Sequence, residues 1–83
     1  MFIIIGFDEQ GAKDLKEGKG YISMNYDHMF SPIWDGCVCY GVGYFTANGY
    51  IVIVEVYEEK DNAVQATHFL NGGNPPLITY LDF

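Results

Sequence analysis

The segment from Cys37 to Glu59 constrains the fold more than any other part of the chain. Its sequence is CVCYGVGYFTANGYIVIVEVYEE, two runs of strand-forming residues joined by Asn48-Gly49. Asn-Gly is the strongest short-range hairpin signal, because both central residues of a type I′ turn need a positive φ, which Asn and Gly tolerate best. The segment therefore predicts a long antiparallel β-hairpin.

The length of this turn decides which side chains share a face. A two-residue loop at Asn48-Gly49 places Tyr40 opposite Tyr57. One face is then the core, where glycines leave room for close approach by other groups; it holds Cys39, Gly41, Gly43, Phe45, Val52, Val54 and Val56. The other face is amphipathic and holds Val38, Tyr40, Val42, Tyr44, Ile51, Ile53, Glu55, Tyr57 and Glu59.

A three-residue loop is the alternative, with Gly49 in a bulge. It shifts the register by one residue and places Tyr40 and Tyr44 beside Val52 and Val54, so that the tyrosines become core. Turn preference alone favours the two-residue loop by roughly two to one.

Three other segments have the patterns of strands. Residues 2–7 include three consecutive isoleucines and no polar position, which predicts a central strand buried on both faces. Residues 21–30 alternate between apolar and polar side chains and predict a half-buried strand. Residues 77–83 predict a closing strand, which begins after Pro76 because proline cannot continue a ladder.

Three segments are more ambiguous. Residues 8–18 predict a short helix that starts at Asp8 and ends at Gly18, with an ordered loop as the alternative. Residues 60–62 form a turn or a helix start. Residues 63–70 alternate like a strand, although Asp61 and Gly72 on either side resemble helix caps; the alternation favours a strand. Together these segments predict one domain, residues 1–83, that is mainly antiparallel β or α+β, with five to six strands around the 37–59 hairpin and at most one or two short helices.

The charge balance limits the kinds of partner. The chain has 4 Lys, no Arg and 11 acidic residues, a net charge of −7. Direct nucleic-acid binding is not expected, since it needs a distributed basic face. The apolar N-terminus, residues 1–7, is too short for a membrane span and lacks the basic leading region of a signal peptide. Cys37 and Cys39 point the same way on a strand and make a poor disulfide pair, so the expected compartment is a reducing cytosol, that of an infected host cell included.

Catalytic and metal chemistry find little support in the sequence. Cys37 and Cys39 with His28 and His68 could supply four zinc ligands, but the cysteine spacing is not that of a zinc knuckle, and core or half-buried thiols are the expectation. His28 follows Asp27, yet adjacent strand residues point to opposite faces and cannot form a catalytic dyad. We therefore assign no catalytic residue, metal or cofactor.

These observations favour a small acidic, non-enzymatic binding protein that inhibits or masks a larger partner, itself basic or nucleic-acid-handling. In size and composition the chain is similar to phage-encoded anti-defence proteins, anti-CRISPR inhibitors among them, and to bacterial immunity proteins. The predicted binding residues are the tyrosines of the amphipathic face and an acidic edge: Tyr40, Tyr44, Tyr57, Glu55, Glu58, Glu59 and Asp61. The alternative is a homo-oligomer that binds a nucleotide or metabolite in an aromatic pocket between subunits.

Overall fold

The computed structural model describes residues 1–16 and 20–73. Within them the chain forms five strands and two helices: β1 (Ile3–Phe7), α1 (Glu9–Lys16), β2 (Tyr21–Ser23), β3 (Met29–Phe30), β4 (Cys39–Phe45), β5 (Tyr50–Tyr57) and α2 (Lys60–Leu70). The strands build one antiparallel sheet in the order β2-β5-β4-β1-β3. The predicted α+β class, with the β4–β5 hairpin inside the sheet, is confirmed.

Strand β1 is buried on both faces, as its unbroken apolar sequence predicted. All five of its residues are buried. Ile3, Ile5 and Phe7 belong to a core on one face of the sheet, where Ala12 and Leu15 of α1 pack. Ile4 belongs to a second core on the other face, together with Val42 of β4 and Ala63 of α2; Val64, Ala66 and Leu70 of α2 pack against it. The two helices therefore cover opposite faces, called here the α1 face and the α2 face.

The hairpin combines the two registers that the sequence left open. Next to the turn, the Thr46 N–H donates to the Tyr50 carbonyl oxygen at 2.8 Å and closes a three-residue loop in which Gly49 has a φ of 79°. Farther from the turn, Tyr40 lies opposite Tyr57, as the two-residue loop predicted. A β-bulge on β5 reconciles the two halves, since the extra residue Val54 compensates for the extra loop residue.

The bulge changes the predicted faces near the turn. Val52 lies opposite Tyr44 on the α2 face, whereas the two-residue register placed it in the core. Ile51 and Ile53 lie on the α1 face and pack in its core, where the prediction had placed them beside the tyrosines. The prediction that glycines allow close approach is confirmed at Gly41, where a Cβ would lie 2.8 Å from Cε2 of Phe7.

Residues 63–70 form a helix, so the strand prediction for this segment was wrong. Ala63 and Thr67, one helical turn apart, are both buried, while the residues between them are at least partly exposed. The helix begins at Lys60, in agreement with the helix start considered for residues 60–62. It ends where Gly72 and Gly73 adopt positive φ angles and their N–H groups bond to the carbonyl oxygens of Phe69 and His68, each at 3.1 Å.

The alternation of residues 21–30 predicted one strand, and this prediction was wrong. Their two ends pair with opposite edges of the sheet, β2 with β5 and β3 with β1. The chain must therefore turn between them. Ser23 begins that turn, since its carbonyl oxygen accepts the Tyr26 N–H at 3.0 Å and its hydroxyl accepts the Asn25 N–H at 3.2 Å.

The short helix predicted after β1 is present. Asp8 caps it, because its Oδ1 accepts the Gly11 N–H at 2.9 Å. Trp34 lies in the connection between β3 and β4. The predicted helix end at Gly18 and the predicted strand at 77–83 lie outside the described residues.

Candidate binding surfaces

Helix α2 covers only part of its sheet face. It packs over β4, β1 and the end of β5, and its end is held above the start of β1 by Asn71. The Phe2 N–H donates to Oδ1 of Asn71 at 2.8 Å, and Nδ2 of Asn71 donates to the Phe2 carbonyl oxygen at 3.1 Å. This pair of bonds uses the backbone groups of Phe2 as a neighbouring strand would. The end of the helix is therefore fixed beside the start of β1, and Tyr21 of β2 and Tyr50 at the start of β5 stay exposed.

Three exposed tyrosines form a patch on this uncovered part of the α2 face. The rings of Tyr21 and Tyr50 stack, with centroids 4.8 Å apart and an angle of 13° between their planes. Tyr44 lies edge-on to Phe2, with centroids 5.7 Å apart. Both Tyr21 and Tyr44 are cross-strand partners of Val52, so the rings surround that side chain. Tyr21, Tyr44 and Tyr50 are called here the tyrosine patch.

A groove of about 400 Å³ lies on the same face, between α2 and β5. It is called here the α2–β5 groove, and its lining is Glu55, Tyr57, Asn62, Gln65, Ala66, Phe69 and Leu70. Phe69 is 79% exposed, the largest exposed fraction among the large apolar side chains that the structure describes. The Tyr57 hydroxyl donates to the Glu55 carboxylate, and this bond raises the pKa of Tyr57. Patch and groove are adjacent, because Val52 and Glu55 are successive α2-face positions of β5 on either side of the bulge.

The structure separates the three tyrosines that the sequence singled out. Tyr40 and Tyr57 are half-buried, and both pack against the core beneath α2. Burial raises the pKa of Tyr40. Tyr44 is exposed in the patch. A partner on the α2 face would therefore reach Tyr44 and the groove side of Tyr57, whereas Tyr40 mainly supports the core.

The four acidic residues do not form one edge. Glu55 lines the α2–β5 groove. Glu58 and Glu59 line a second groove, on the α1 face. Asp61 is exposed in the first turn of α2. All four side chains are exposed, but the turn from β5 into α2 distributes them over two sides of the sheet.

A polar network fastens the 24–28 turn to α1. Nδ1 of His28 lies 2.9 Å from Oδ2 of Asp8, so the acidic partner of this histidine is Asp8, not Asp27. The Tyr26 hydroxyl donates to Asp14, and Nε2 of Gln10 donates to Asp14 at 3.1 Å. The hydrogen bond that His28 donates to Asp8 raises the pKa of His28. Burial acts to raise the pKa of Asp8, but the bonds from Gly11 and His28 outweigh it, and this pKa is lowered.

The His28 titration tests this network. We expect a pKa above 6.5 for His28 in the folded protein, and a fall toward 6.5 in Asp8→Asn, which keeps a capping side chain. The stabilisation through His28 is fully present below its unfolded pKa near 6.5 and is lost as the pH rises through the higher folded value. The stabilisation through Asp8 is present above about pH 3.8, the ordinary pKa of the group, and is lost as the pH falls through the lowered pKa of the folded state. The measurement is an NMR titration of the imidazole.

Asp27→Asn is the control for that titration, because Asp27 acts on His28 only by weaker Coulomb attraction. We expect it to lower the pKa of His28 less than Asp8→Asn does. An equal fall in both variants would show that the ion pair with Asp8 does not set this pKa.

The two cysteines are unreactive by position. Cys39 is buried on the α1 face, and Cys37 is half-buried with its Sγ 3.6 Å from the Ser31 carbonyl oxygen. Burial raises the pKa of both thiols, which keeps them protonated near neutral pH. His68 belongs to α2, on the other side of the sheet from Cys39. No cluster of three or more His, Cys, Asp or Glu able to hold a metal occurs in the described part of the chain.

Three exposed aromatic residues of the α2 face were not predicted as binding residues from the sequence: Tyr21, Tyr50 and Phe69. Tyr21 and Tyr50 belong with Tyr44 only in the three-residue loop register, which turn preference ranked second. Phe69 becomes an outward side chain only if residues 63–70 are helical. The sequence contains a signal for each placement. Gly49 at the turn fits the three-residue loop, and the glycine pair after Asn71 fits a helix end.

Comparisons with protein-family models, with curated proteins and with solved structures find no match to this chain. None of the helices among residues 1–16 and 20–73 is long and apolar enough to cross a membrane.

Proposed function

We propose that this chain is a non-enzymatic binding protein that masks a basic surface of a larger protein, using the tyrosine patch and the α2–β5 groove. The exposure of Phe69 is the observation that carries the proposal. The opposite side of α2 is buried at Ala63 and Thr67, so Phe69 makes no contribution to the core beneath the helix. A large aromatic ring held out in water beside a groove is typical of an interaction surface.

The chemistry of the surface suits a protein partner. Tyrosine and phenylalanine offer large contact areas and have few rotatable bonds, so little conformational entropy is lost when a partner orders them. The stacked pair of Tyr21 and Tyr50 is already held by its own ring contact. Polar side chains of Asn62 and Gln65 lie along the groove and can bond to a partner's backbone. An apolar centre with a polar rim is the usual composition of such an interface.

The charge specifies the kind of protein. With 11 acidic residues, 4 Lys and no Arg, the chain repels acidic surfaces and is steered toward basic ones. Glu55 places one carboxylate inside the groove, and Asp61 places another at the start of α2. Nucleic-acid-handling proteins carry basic surfaces, and masking one of them is the kind of inhibition that phage anti-defence proteins perform.

The side chains that could take part in catalysis already have structural roles. Asp8 and His28 hold the 24–28 turn, and the Cys37 and Cys39 thiols are kept protonated by burial. These arrangements support binding over catalysis.

Substitution of Phe69 tests the proposal. Because Phe69 is exposed, Phe69→Ser should leave the thermal unfolding temperature nearly unchanged. We expect it to weaken binding to a partner captured from the native cell by about 30-fold, as for a binding hot spot of about 2 kcal/mol. Calorimetry with the purified partner gives the dissociation constant.

The matched control is Ile33→Ser. Ile33 is 69% exposed, in the loop between β3 and β4, outside the patch and the groove. This variant should bind like the wild type. Equal binding by Phe69→Ser and the wild type, or equal losses in both variants, would contradict the proposed surface.

The charge of Glu55 leads to a separate prediction about association rates. Glu55→Gln keeps the size of the side chain and removes its charge, so we expect slower association with a basic partner and a weaker dependence of the association rate on salt. Stopped-flow mixing at low and high salt measures both. An unchanged salt dependence would mean that Glu55 does not steer the encounter.

A further inference from the structure

A larger groove lies on the opposite side of the sheet, between α1 and the end of β5. Its volume is about 1190 Å³, and it is called here the α1–β5 groove. The apolar part of its lining is Ala12, Leu15, Val38, Cys39 and Val56. Val38 and Val56 are 50% and 47% exposed, so the groove has an apolar strip that the described part of the fold leaves in contact with water.

Opposite charges line the two sides of this strip. Lys13 and Lys16 stand on the α1 side, called here the lysine wall; Glu58 and Glu59 stand on the β5 side, called here the glutamate wall. All four side chains are exposed. Within the described part of the chain none of them forms an ion pair. Glu9 also lines the α1 side, at the other end of the helix from Lys16.

The thiol of Cys39, which lines the groove, lies within the electrostatic influence of both walls. Burial is the main cause that raises its pKa, but the charge of Lys16 acts to lower it and that of Glu58 acts to raise it. Both walls line the same groove, one on the α1 side and one at the end of β5, with the apolar strip between them.

We propose that a second copy of this chain covers the α1–β5 groove, in a dimer with two-fold symmetry. Rotation by 180° about an axis that runs along the strip brings the lysine wall of one copy onto the glutamate wall of the other, twice, and packs the exposed valines together. A surface with positive charge on one side of an apolar strip and negative charge on the other is complementary to itself under such a rotation. It is less suited to a uniformly basic or acidic partner, which one of the two walls would repel.

The dimer does not depend on the proposed function, because the grooves lie on opposite faces. A net charge of −7 per chain opposes association in general, so attraction between the walls is needed to overcome it. The tyrosine patch and the α2–β5 groove stay uncovered in both copies. A dimer of this kind would present two partner-binding surfaces, one on each side.

Charge reversal on each wall tests the dimer. The wild type should have about twice the 9.4 kDa chain mass in light scattering and should dissociate on dilution and in high salt. Lys13→Glu/Lys16→Glu makes both walls acidic, and Glu58→Lys/Glu59→Lys makes both basic. We expect each variant alone to be a monomer, with a dimer dissociation constant raised roughly tenfold or more.

Mixing the two variants gives the sharper result. In the mixed dimer every acidic wall meets a basic one, so an equimolar mixture should return to dimer mass. That recovery also shows that both variants are folded. Asp27→Lys/Asp35→Lys, which reverses two exposed carboxylates outside the groove, is the matched control and should not weaken dimerisation.

Three outcomes would overturn the dimer. They are a wild-type protein that is monomeric at all concentrations, a mixture that stays monomeric, and a control variant that loses the dimer as the wall variants do. None of them affects the test of Phe69, which lies on the other face.

Discussion

The Gly43→Ala variant is expected to lose at least about 3 kcal/mol of its free energy of unfolding. A Cβ at this position would lie 2.1 Å from the carbonyl oxygen of Val52 and 3.0 Å from its carbonyl carbon. These atoms belong to the paired strand, next to the bulge, and cannot withdraw without disturbing the ladder. A domain of this size has a total stability of about 4 to 12 kcal/mol, so the expected loss is a large share of it.

Gly20→Ala is the matched control for Gly43→Ala. Its Cβ would also meet a carbonyl oxygen of β5, that of Ile53, but at 3.4 Å. Both changes restrict the unfolded chain in the same way, so the difference between them isolates the close contact. Urea unfolding followed by circular dichroism gives both free energies. Similar losses in the two variants would show that β4 and β5 are not as close at Gly43 as the structure has them.

Phe7→Ala is expected to cost about 3 to 5 kcal/mol, the range for removal of a fully buried aromatic side chain. Phe7 has no exposed surface and belongs to the core under α1. Its ring fits between two glycines. A Cβ on Gly11 would lie 3.0 Å from Cδ1 of Phe7, and a Cβ on Gly41 would lie 2.8 Å from Cε2. The two glycines leave the space that this ring occupies.

A double-mutant cycle tests this fit directly. Gly41→Ala should destabilise the wild type because its methyl group overlaps the ring. In the Phe7→Ala background the ring is absent, so the same change should cost less, by about 1 kcal/mol or more. Ile53 also lies near Gly41, at 3.2 Å from the added Cβ, so some cost should remain. Gly20→Ala should cost the same in both backgrounds, and equal costs for Gly41→Ala would contradict the packing described.

Local patterns were sufficient for the parts of the fold that depend on few residues. Three consecutive isoleucines predicted a strand buried on both faces, and β1 is one. Asp8 predicted a helix start, and it caps α1. Asn48-Gly49 predicted the hairpin, and β4 pairs with β5. In each case the signal is a backbone preference or a run of apolar side chains, which acts over a few residues.

The register of the hairpin could not be derived in the same way. The preference of Asn-Gly for a two-residue loop competes with the packing of Ile51 and Ile53 into the α1-face core. The structure satisfies that packing with a three-residue loop and restores the pairing of Tyr40 with Tyr57 by a bulge at Val54. A bulge has no strong sequence signal, because it is a response of the strand to what packs on it.

The candidate site depended on tertiary structure even more. The sequence named Tyr44, Tyr57 and Glu55, which lie on the open α2 face, but it also named Tyr40, which is half-buried beneath α2. It grouped Glu58 and Glu59 with Glu55, although they line the groove on the other face. Whether these residues bind a partner stays a prediction.

The sequence by itself determined which segments are apolar, where the hairpin turns and how strongly acidic the chain is, since these properties belong to single residues and their neighbours. The tertiary structure decided which side chains lie on which face of the sheet. The pattern of residues 63–70 suits a strand and a helix alike, and only packing against Ile4 and Val42 selects the helix. That choice covers one side of the α2 face and turns Phe69 outward. Contacts between distant segments therefore determine which aromatic rings are core and which are available to a partner.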